Sequence, residues 1–533
     1  MKNENIIVEL SGASSATRGK TVKSLEKTGL PLTPIFEGKK SRGNEPEQAK
    51  WNLFTTKENQ NNWDAAHEVV SKAGKDVITY AEPDKLYINP FDIAKKRAGT
   101  KGKHHGDYLS EWPQPKSTEF AWYLDKSNLK KIRHADPGKS GTKIRIAHFD
   151  TGYDGDNHES KPLYLKPELG YNFIEGGLPT DKNNTSIKNQ PGHGTATMAI
   201  LAGNKIDLSP DFNDYMGGAP FAEVIPFRIS DSVILLKAVE FAQALEMAMQ
   251  LKCDVVTMSM GGLASKLWAE KVNQAYDAGM VVVSAAGNNF GGGLPTHHVI
   301  YPSRFNRVIT ACGVMYNNTP YYNKKYGHKV MMGNWGPDSV MHTAVAAYTP
   351  NVPWATMKVR GDGFGKGGGG TSSATPQVAA TAALFLEKFN TYKFAKPWMR
   401  AEAARMAILE SAKFVEANKK YFGCGILDAE AALNYGVAKT LSKADVDDVR
   451  LPFIQLIFKK RGKNEIDRNE MFETEILHLI ELDENINMWA VKKNAIDKMK
   501  YDVLSKKETS ELRDLILASK LASDAIKLRF KSL

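Results

Sequence analysis

The sequence predicts an α/β protein: a mainly parallel sheet flanked by helices, preceded by a small α+β domain and followed by a helical extension. Three observations carry this. Between about residues 118 and 440, short β-branched runs alternate with helical ones, the pattern of a parallel sheet covered on both faces. Before residue 90, a strand, an amphipathic helix and another strand follow one another. After about residue 440, helical periodicity continues with dense charge and without Gly-rich turns.

Taken in chain order, IIVELSG (6–12) reads as a strand, WDAAHEVVSKAG (63–74) as a helix closing at Gly74, and DVITYAEPD (76–84) as a strand. They bound an N-terminal unit over 1–90. Residues 91–117, rich in Lys, Gly, His and Pro, form a basic linker. The central domain, 118–440, has strands at 142–150, 223–230, 253–262 and 280–288, and helices at 233–252 and 267–279. The extension, 441–533, has helical runs at 470–482, 494–504 and 509–530. GKGGGG (365–370) is the one low-complexity stretch.

A hydrophobic content of 42% with 25% charged residues is that of a soluble globular chain. No apolar run approaches the roughly 18 residues of a membrane span. The first fifteen residues lack the apolar core of a signal peptide, and three cysteines are too few for a disulfide framework. Cys253 and Cys312 flank apolar runs and read as inert core residues. Together these features place the chain in a reducing cytoplasm. The net charge of +11 keeps an anionic partner open, but no zinc-finger spacing, RNA-recognition signature or long basic helix accompanies it, so nucleic acid is disfavoured.

Hydrolysing an amide requires a nucleophile, a base, an orienter for the base and donors for the oxyanion. In IAHFDTGYD (146–154), an apolar strand delivers Asp150 to its C-terminal edge, where small residues make room. In PGHGTATMAI (191–200), His193 lies between two glycines and opens a run of small and apolar residues. In KGGGGTSSATPQVAATAALF (366–385), Ser372 falls at a helix N-terminus, where exposed N–H groups and the dipole favour negative charge. Ser373 competes on position alone.

The order Asp150, His193, Ser372, with Asp-Thr-Gly, His-Gly-Thr and Gly-Thr-Ser-x-Ala-x-Pro around them, resembles the subtilisin family of serine proteases over roughly 118–440. The resemblance implies an endopeptidase in which Ser372 attacks, His193 moves the proton and Asp150 orients His193. It maps the oxyanion asparagine onto Asn288 in VVVSAAGNN (281–289), and an edge that pairs with extended substrate onto Ser259, Met260, Gly261 and Gly262. It implies a protein or peptide substrate, no required cofactor and no catalytic metal. Calcium is optional, FNDYMGG (212–218) being a loose analogue of the family's calcium loops. VITYAEPDKLY (77–87) resembles the last strand of the family's inhibitory prodomain, so cleavage between about Phe91 and Pro115 is expected to release residues 1–90 and raise activity. The C-terminal helices are expected to be free for a protein partner.

Two departures stand out. Ala196 replaces a second histidine common after His-Gly-Thr, and LPTHHVI (294–300) lacks the glycine expected to line the pocket for the residue before the scissile bond. Two other readings remain open at this level: a peptide-binding pseudoprotease, and a carboxyl-serine protease of the same fold, against which His193 argues.

Overall fold

The computed structural model describes residues 3–12, 15–36, 50–57, 61–74, 76–84, 112–115, 120–134, 138, 143–156, 158–182, 190–210, 212–235, 237–289, 296–323, 330–357, 363–453 and 469–532. Most of the expected linker, including its basic run at 94–105, lies outside them.

Seven strands form the central sheet in the order Ala344–Tyr348, Val308–Val314, Val281–Ala285, Val255–Met258, Arg145–Asp150, Glu223–Arg228, Tyr171–Asn172. Every neighbouring pair is parallel. The strands read as unbroken apolar runs because both faces are covered. Alternation splits them: Ile146, Val255, Val281, Val283 and Ile309 pack with the helices His193–Ala202 and Thr371–Lys388. Ala147, Phe149, Val256, Met258 and Val282 pack on the other face with Val239–Gln250 and Lys266–Asp277. A parallel sheet covered by helices on both faces is the expected architecture, although the strands Tyr171–Asn172 and Ala344–Tyr348 were not read from the sequence.

One helix starts later than its sequence suggests. Residues 233–252 read as one helix, but Ile234–Leu235 is a short strand pairing in parallel with Gly261–Gly262, and the helix begins at Val239. The reason is distant. Asp84 Oδ1 accepts from the N–H groups of Ala238 and Val239, both at 3.1 Å, and fixes the helix start there.

The N-terminal unit is a four-stranded antiparallel sheet, ordered Leu32–Pro34, Trp51–Lys57, Asn3–Leu10, Ile78–Pro83, with the helices Ser15–Lys27 and Asn62–Ala73. The sequence reading found three of these elements and missed Ser15–Lys27, Leu32–Pro34 and Trp51–Lys57. The helix Ser15–Lys27 is largely polar and shows little of the periodicity that such a reading needs.

The C-terminal region contributes helices Asn469–Leu482, Glu484–Lys493, Ala495–Lys500, Lys506–Ala518 and Asp524–Lys531. The run at 509–530 splits because Ser523 caps a new helix by accepting from the Ile526 N–H. Every residue of Met471–Leu482 is buried. That helix lies between the N-terminal unit and the central domain. Trp63 Nε1 donates to His478 Nδ1 at 3.2 Å, which fixes the tautomer, so His478 Nε2 donates to the Ala264 carbonyl at 2.6 Å. Glu475 faces His67 at 3.1 Å and accepts from the Ser523 N–H at 2.8 Å.

Candidate active site

Asp150 ends the strand Arg145–Asp150, inside the sheet, and is fully buried. His193 is the first residue of its helix, and its Nδ1 lies 2.6 Å from Asp150 Oδ1. The two elements meet closely because Gly194 has no side chain: a Cβ there would fall 2.0 Å from the Gly152 carbonyl oxygen. The carboxylate also accepts from the Thr151 N–H at 2.8 Å and the Thr197 hydroxyl at 3.1 Å. Burial alone would raise this carboxyl. The His193 and His148 rings and the N–H donor outweigh it and hold the group below its usual range.

Ser372 is the second residue of the helix Thr371–Lys388, where backbone N–H groups have no partner within the helix. That helix packs against the one that begins at His193. Ser372 Oγ donates to the Ser259 carbonyl at 3.2 Å, and Ser259 Oγ returns a bond to the Ser372 carbonyl at 2.9 Å. The bond between Ser372 Oγ and His193 Nε2 is not made. Among the described residues His193 Nε2 is buried with no hydrogen-bond partner. Ser373, by contrast, turns into the protein and donates to Thr349 Oγ1 at 2.9 Å and the Gly370 carbonyl at 3.1 Å.

Asn288 follows the strand Val281–Ala285. Its Oδ1 accepts from the Thr371 N–H at 2.9 Å, and Nδ2 makes no hydrogen bond among the described residues. Gly370, at φ 72°, makes room for it, since a Cβ there would stand 3.0 Å from Asn288 Nδ2. Asn288 and Ser372 both line the same cavity.

Ser259, Met260, Gly261 and Gly262 line the pocket beside Ser372, as their positions in the sequence suggest. Their edge is already paired. The Gly261 N–H donates to the Val233 carbonyl at 3.1 Å, and Gly262 exchanges bonds with Tyr301 at 2.8 and 3.3 Å. An added strand would have to displace the first of these bonds.

Sequence reading missed the supports of the pair. Asp181 accepts from the Thr151 hydroxyl at 2.7 Å and the Gly192 N–H at 2.8 Å, and Arg228 stands 3.2 Å away. It therefore ties together the residues next to Asp150 and His193. The Thr197 hydroxyl relays between Asp150 and His148 Nε2, the latter at 2.9 Å. Burial pushes the His148 imidazole down to about 4, so it is neutral at pH 7. Trp354 packs edge-on to His193 with centroids 5.5 Å apart. It sits in a hairpin of Val352–Thr356 with Gly363–Gly368, where the sequence shows only a glycine run. No such residue is flagged by a motif, because each acts through a partner distant in sequence.

In the FNDYMGG segment Asp214 pairs with Arg133 at 2.6 Å, and no cluster of three or more acidic, His or Cys side chains able to hold a metal occurs among the described residues. Burial pushes the thiols of Cys253 and Cys312 up to about 12. No helix among the described residues is long and apolar enough to cross a membrane.

Residues 141–425 match the sequence model of the subtilase family. The chain is 26% identical to subtilisin DY of Bacillus licheniformis over 299 residues, covering 55% of this chain and 92% of that protein. It is 26% identical to subtilisin E of Bacillus subtilis (strain 168) over 309 residues, 57% of this chain and 70% of the other. To alkaline elastase YaB of Bacillus sp. (strain YaB) it is 28% identical over 298 residues, 55% of this chain and 66% of the other.

Proposed function

The chain belongs to the subtilase family and is a subtilisin-like serine endopeptidase, and from that premise we propose that Ser372 is its nucleophile, His193 its base and acid, Asp150 the orienter of His193, and Asn288 a donor to the oxyanion. The observation that carries this is the buried, unpartnered His193 Nε2, on a ring whose Nδ1 is held by Asp150. A buried imidazole nitrogen left without a partner calls for one. Rotation of Ser372 away from the Ser259 carbonyl towards His193 would supply it.

In that arrangement Ser372 Oγ bonds to the scissile carbonyl carbon as its proton passes to His193 Nε2. The carbonyl oxygen takes up the electron pair and lies between Asn288 Nδ2 and the Ser372 N–H. Collapse breaks the C–N bond, and the imidazolium gives its proton to the leaving amine. Water then attacks the acyl-enzyme with His193 again as base, releasing the acid and restoring the serine. Protein or peptide bonds are the substrate, and no step calls on a cofactor.

We further infer a division at 1–90, 91–117, 118–440 and 441–533, with the first unit regulating the third. Glu82 accepts from Ser265 Oγ at 2.6 Å and from the Lys266 N–H at 3.0 Å, at the start of the helix Lys266–Asp277. Asp84 does the same for the neighbouring helix, so two carboxylates of one strand sit on two helix N-termini. A tethered unit has a high effective concentration and keeps such a site covered even at modest affinity. The C-terminal helices add a second tie: Asn61 Nδ2 donates to the Leu521 carbonyl at 2.7 Å, and Asp64 accepts from the Asp524 N–H at 2.8 Å. Linker cleavage would therefore leave residues 1–90 attached until the C-terminal helices also let go.

The nucleophile is tested by labelling with a fluorophosphonate. Ser372→Ala is expected to remove both labelling and proteolysis, a loss on the scale of about 10⁶-fold in turnover. Undiminished hydrolysis by that variant would end the assignment. The tie is tested by nicking the linker and passing the chain over a sizing column. Co-elution of the two fragments is expected, and their separation would contradict the clasp.

A further inference from the structure

The cavity that opens beside Ser372 holds about 70 Å³. It is shared between the side facing Ser372 and Asn288 and the side facing Val233–Leu235. A roughly 150 Å³ apolar cavity is what accommodates benzene. The space here is half that, and it is shared.

Ile300 is the lining residue that narrows it. A Cβ built on Gly261 would stand 2.1 Å from Ile300 Cδ1, and one on Gly287 would stand 2.9 Å from the same atom. The isoleucine methyl is thus seated against both glycine walls and occupies the space that their missing side chains leave. It is not free to withdraw. The Ile300 N–H donates to the Ala286 carbonyl at 3.1 Å, its carbonyl accepts from the Arg304 N–H at 3.1 Å, and the next residue is bonded to Gly262 in both directions. A β-branched side chain on a pinned backbone also has few rotamers to retreat into.

Behind Ile300, the C-terminal helix brings Glu481 and Leu482 to the same cavity. Glu481 is not an unopposed charge, because Arg304 Nη2 meets it at 2.7 Å with both side chains nearly buried. The far end offers no net negative charge to draw in a basic side chain, which would in any case have to pass Ile300.

With the scissile carbon at Ser372 Oγ and its oxygen at Asn288 Nδ2, the side chain of the residue on the acyl side projects into this cavity. We propose that Ile300 sets the substrate preference of this protease, admitting a small uncharged side chain (Gly, Ala or Ser) at that residue and excluding aromatic and basic ones. The inference rests on Ser372 being the nucleophile.

The test uses the full chain and three peptidyl diphenyl phosphonates that differ only in carrying Ala, Phe or Lys at the reacting residue, with a small fluorophosphonate alongside. The Ala probe should label Ser372 at least about tenfold faster than the Phe or Lys probe, the scale on which pocket fit discriminates. Ile300→Gly should raise the Phe rate at least about tenfold and change the Ala rate much less. If Ile300→Gly fails to fold, Ile300→Ala carries the same comparison with a smaller shift. A wild-type enzyme that takes fluorophosphonate yet reacts with Phe as fast as Ala overturns the proposal, as does an unchanged ratio in a labelled Ile300 variant. Absence of labelling by every probe would instead remove the Ser372 assignment, and the proposal with it.

Discussion

Among the described helices, Thr371–Lys388 and Asn469–Leu482 are both buried along nearly their whole length, and they were not equally readable. Thr371–Lys388, which carries Ser372, is built mainly from Ala, Thr, Ser and Leu and is buried from Thr371 to Glu387. Asn469–Leu482 is buried from Met471 to Leu482 although it carries Glu473, Glu475, His478 and Glu481. The first helix packs mainly small and apolar side chains against the sheet and its neighbours, so its burial shows in its composition. The second is buried by pairing: His67 and Ser523 on Glu475, Trp63 and Ala264 on His478, Arg304 on Glu481. These partners lie far away in the chain. A run of charge is ordinarily a solvated face, and nothing within the helix says otherwise.

The comparison predicts a division of effects: changes at the first helix and its neighbours should move chemistry, and changes at the second should move stability. After Ser372 itself, the largest effect is expected at Asn288. Asn288→Ala removes a donor that acts on the transition state, so kcat should fall by about 10²–10³ with little change in KM. Steady-state kinetics on a peptide substrate check this. A rise in KM at constant kcat would place Asn288 in ground-state binding instead.

The second helix should answer in the opposite way. Glu475→Ala leaves the Ser523 N–H and the His67 ring without their buried acceptor, at a cost of about 1–3 kcal/mol. Denaturant unfolding should record that loss. Fluorophosphonate labelling of the folded fraction should stay within a factor of about two, since Glu475 bonds to the N-terminal unit and the C-terminal Ser523, not to the Ser372 constellation. A large fall in labelling per folded molecule would mean that the helix is coupled to the site, and the division would fail.

Acid should act on the same junction. Burial pushes the His478 imidazole down to about 4, and its Nδ1 is already committed as the acceptor from Trp63. The unfolded chain takes up this proton below about 6.5, whereas the folded chain resists it until about 4. In that window the unfolded state binds more protons, so the contribution of His478 is complete above about 6.5 and is lost as pH falls towards 4. His148 titrates in the same direction for the same reason, burial. Melting curves of the Ser372→Ala chain should show a midpoint that declines through this window, and His478→Gln should flatten the decline. An identical slope in that variant would remove His478 from the account.

How much was legible follows the same line. The alternating strands and helices of the central domain announced a parallel sheet, and Asp150, His193, Ser372 and Asn288 were each marked by a local string of small residues. The structure puts Asp150 beside His193 and Asn288 beside Thr371, next to Ser372. The supports were hidden. Asp181 matters because it joins Thr151 to Gly192, and Trp354 because a glycine-rich strand turns it onto His193. The start of the helix at Val239 depends on Asp84, a residue of another unit, and no property of 233–252 could reveal it. The C-terminal region was rightly read as helical, but Glu484–Lys493 was missed and the run at 509–530 is two helices, and the part buried against the N-terminal unit has no free face to offer a partner.

The smallest expected effect separates two adjacent serines, and it tests the comparison most finely because both lie on the same buried helix. Ser373 is as buried as its neighbour and also carries a hydroxyl at the helix start. Its proton is directed to Thr349 Oγ1 and the Gly370 carbonyl, on the side away from the Ser259 carbonyl that Ser372 meets. Ser373→Ala removes a hydrogen bond worth about 1 kcal/mol from the interior and leaves Thr349 without that donor. Thr349 still donates to the Gly370 carbonyl at 2.8 Å, so the loop before the helix keeps one of its ties. Labelling by fluorophosphonate should persist, with the rate lowered by no more than a few fold through slight loosening around Gly370. Intact-mass measurement with peptide mapping would locate the adduct. An adduct on Ser372 in this variant, at near wild-type rate, leaves Ser373 as a residue of packing; loss of the adduct would transfer the nucleophile to Ser373 and break the reading of the helix start.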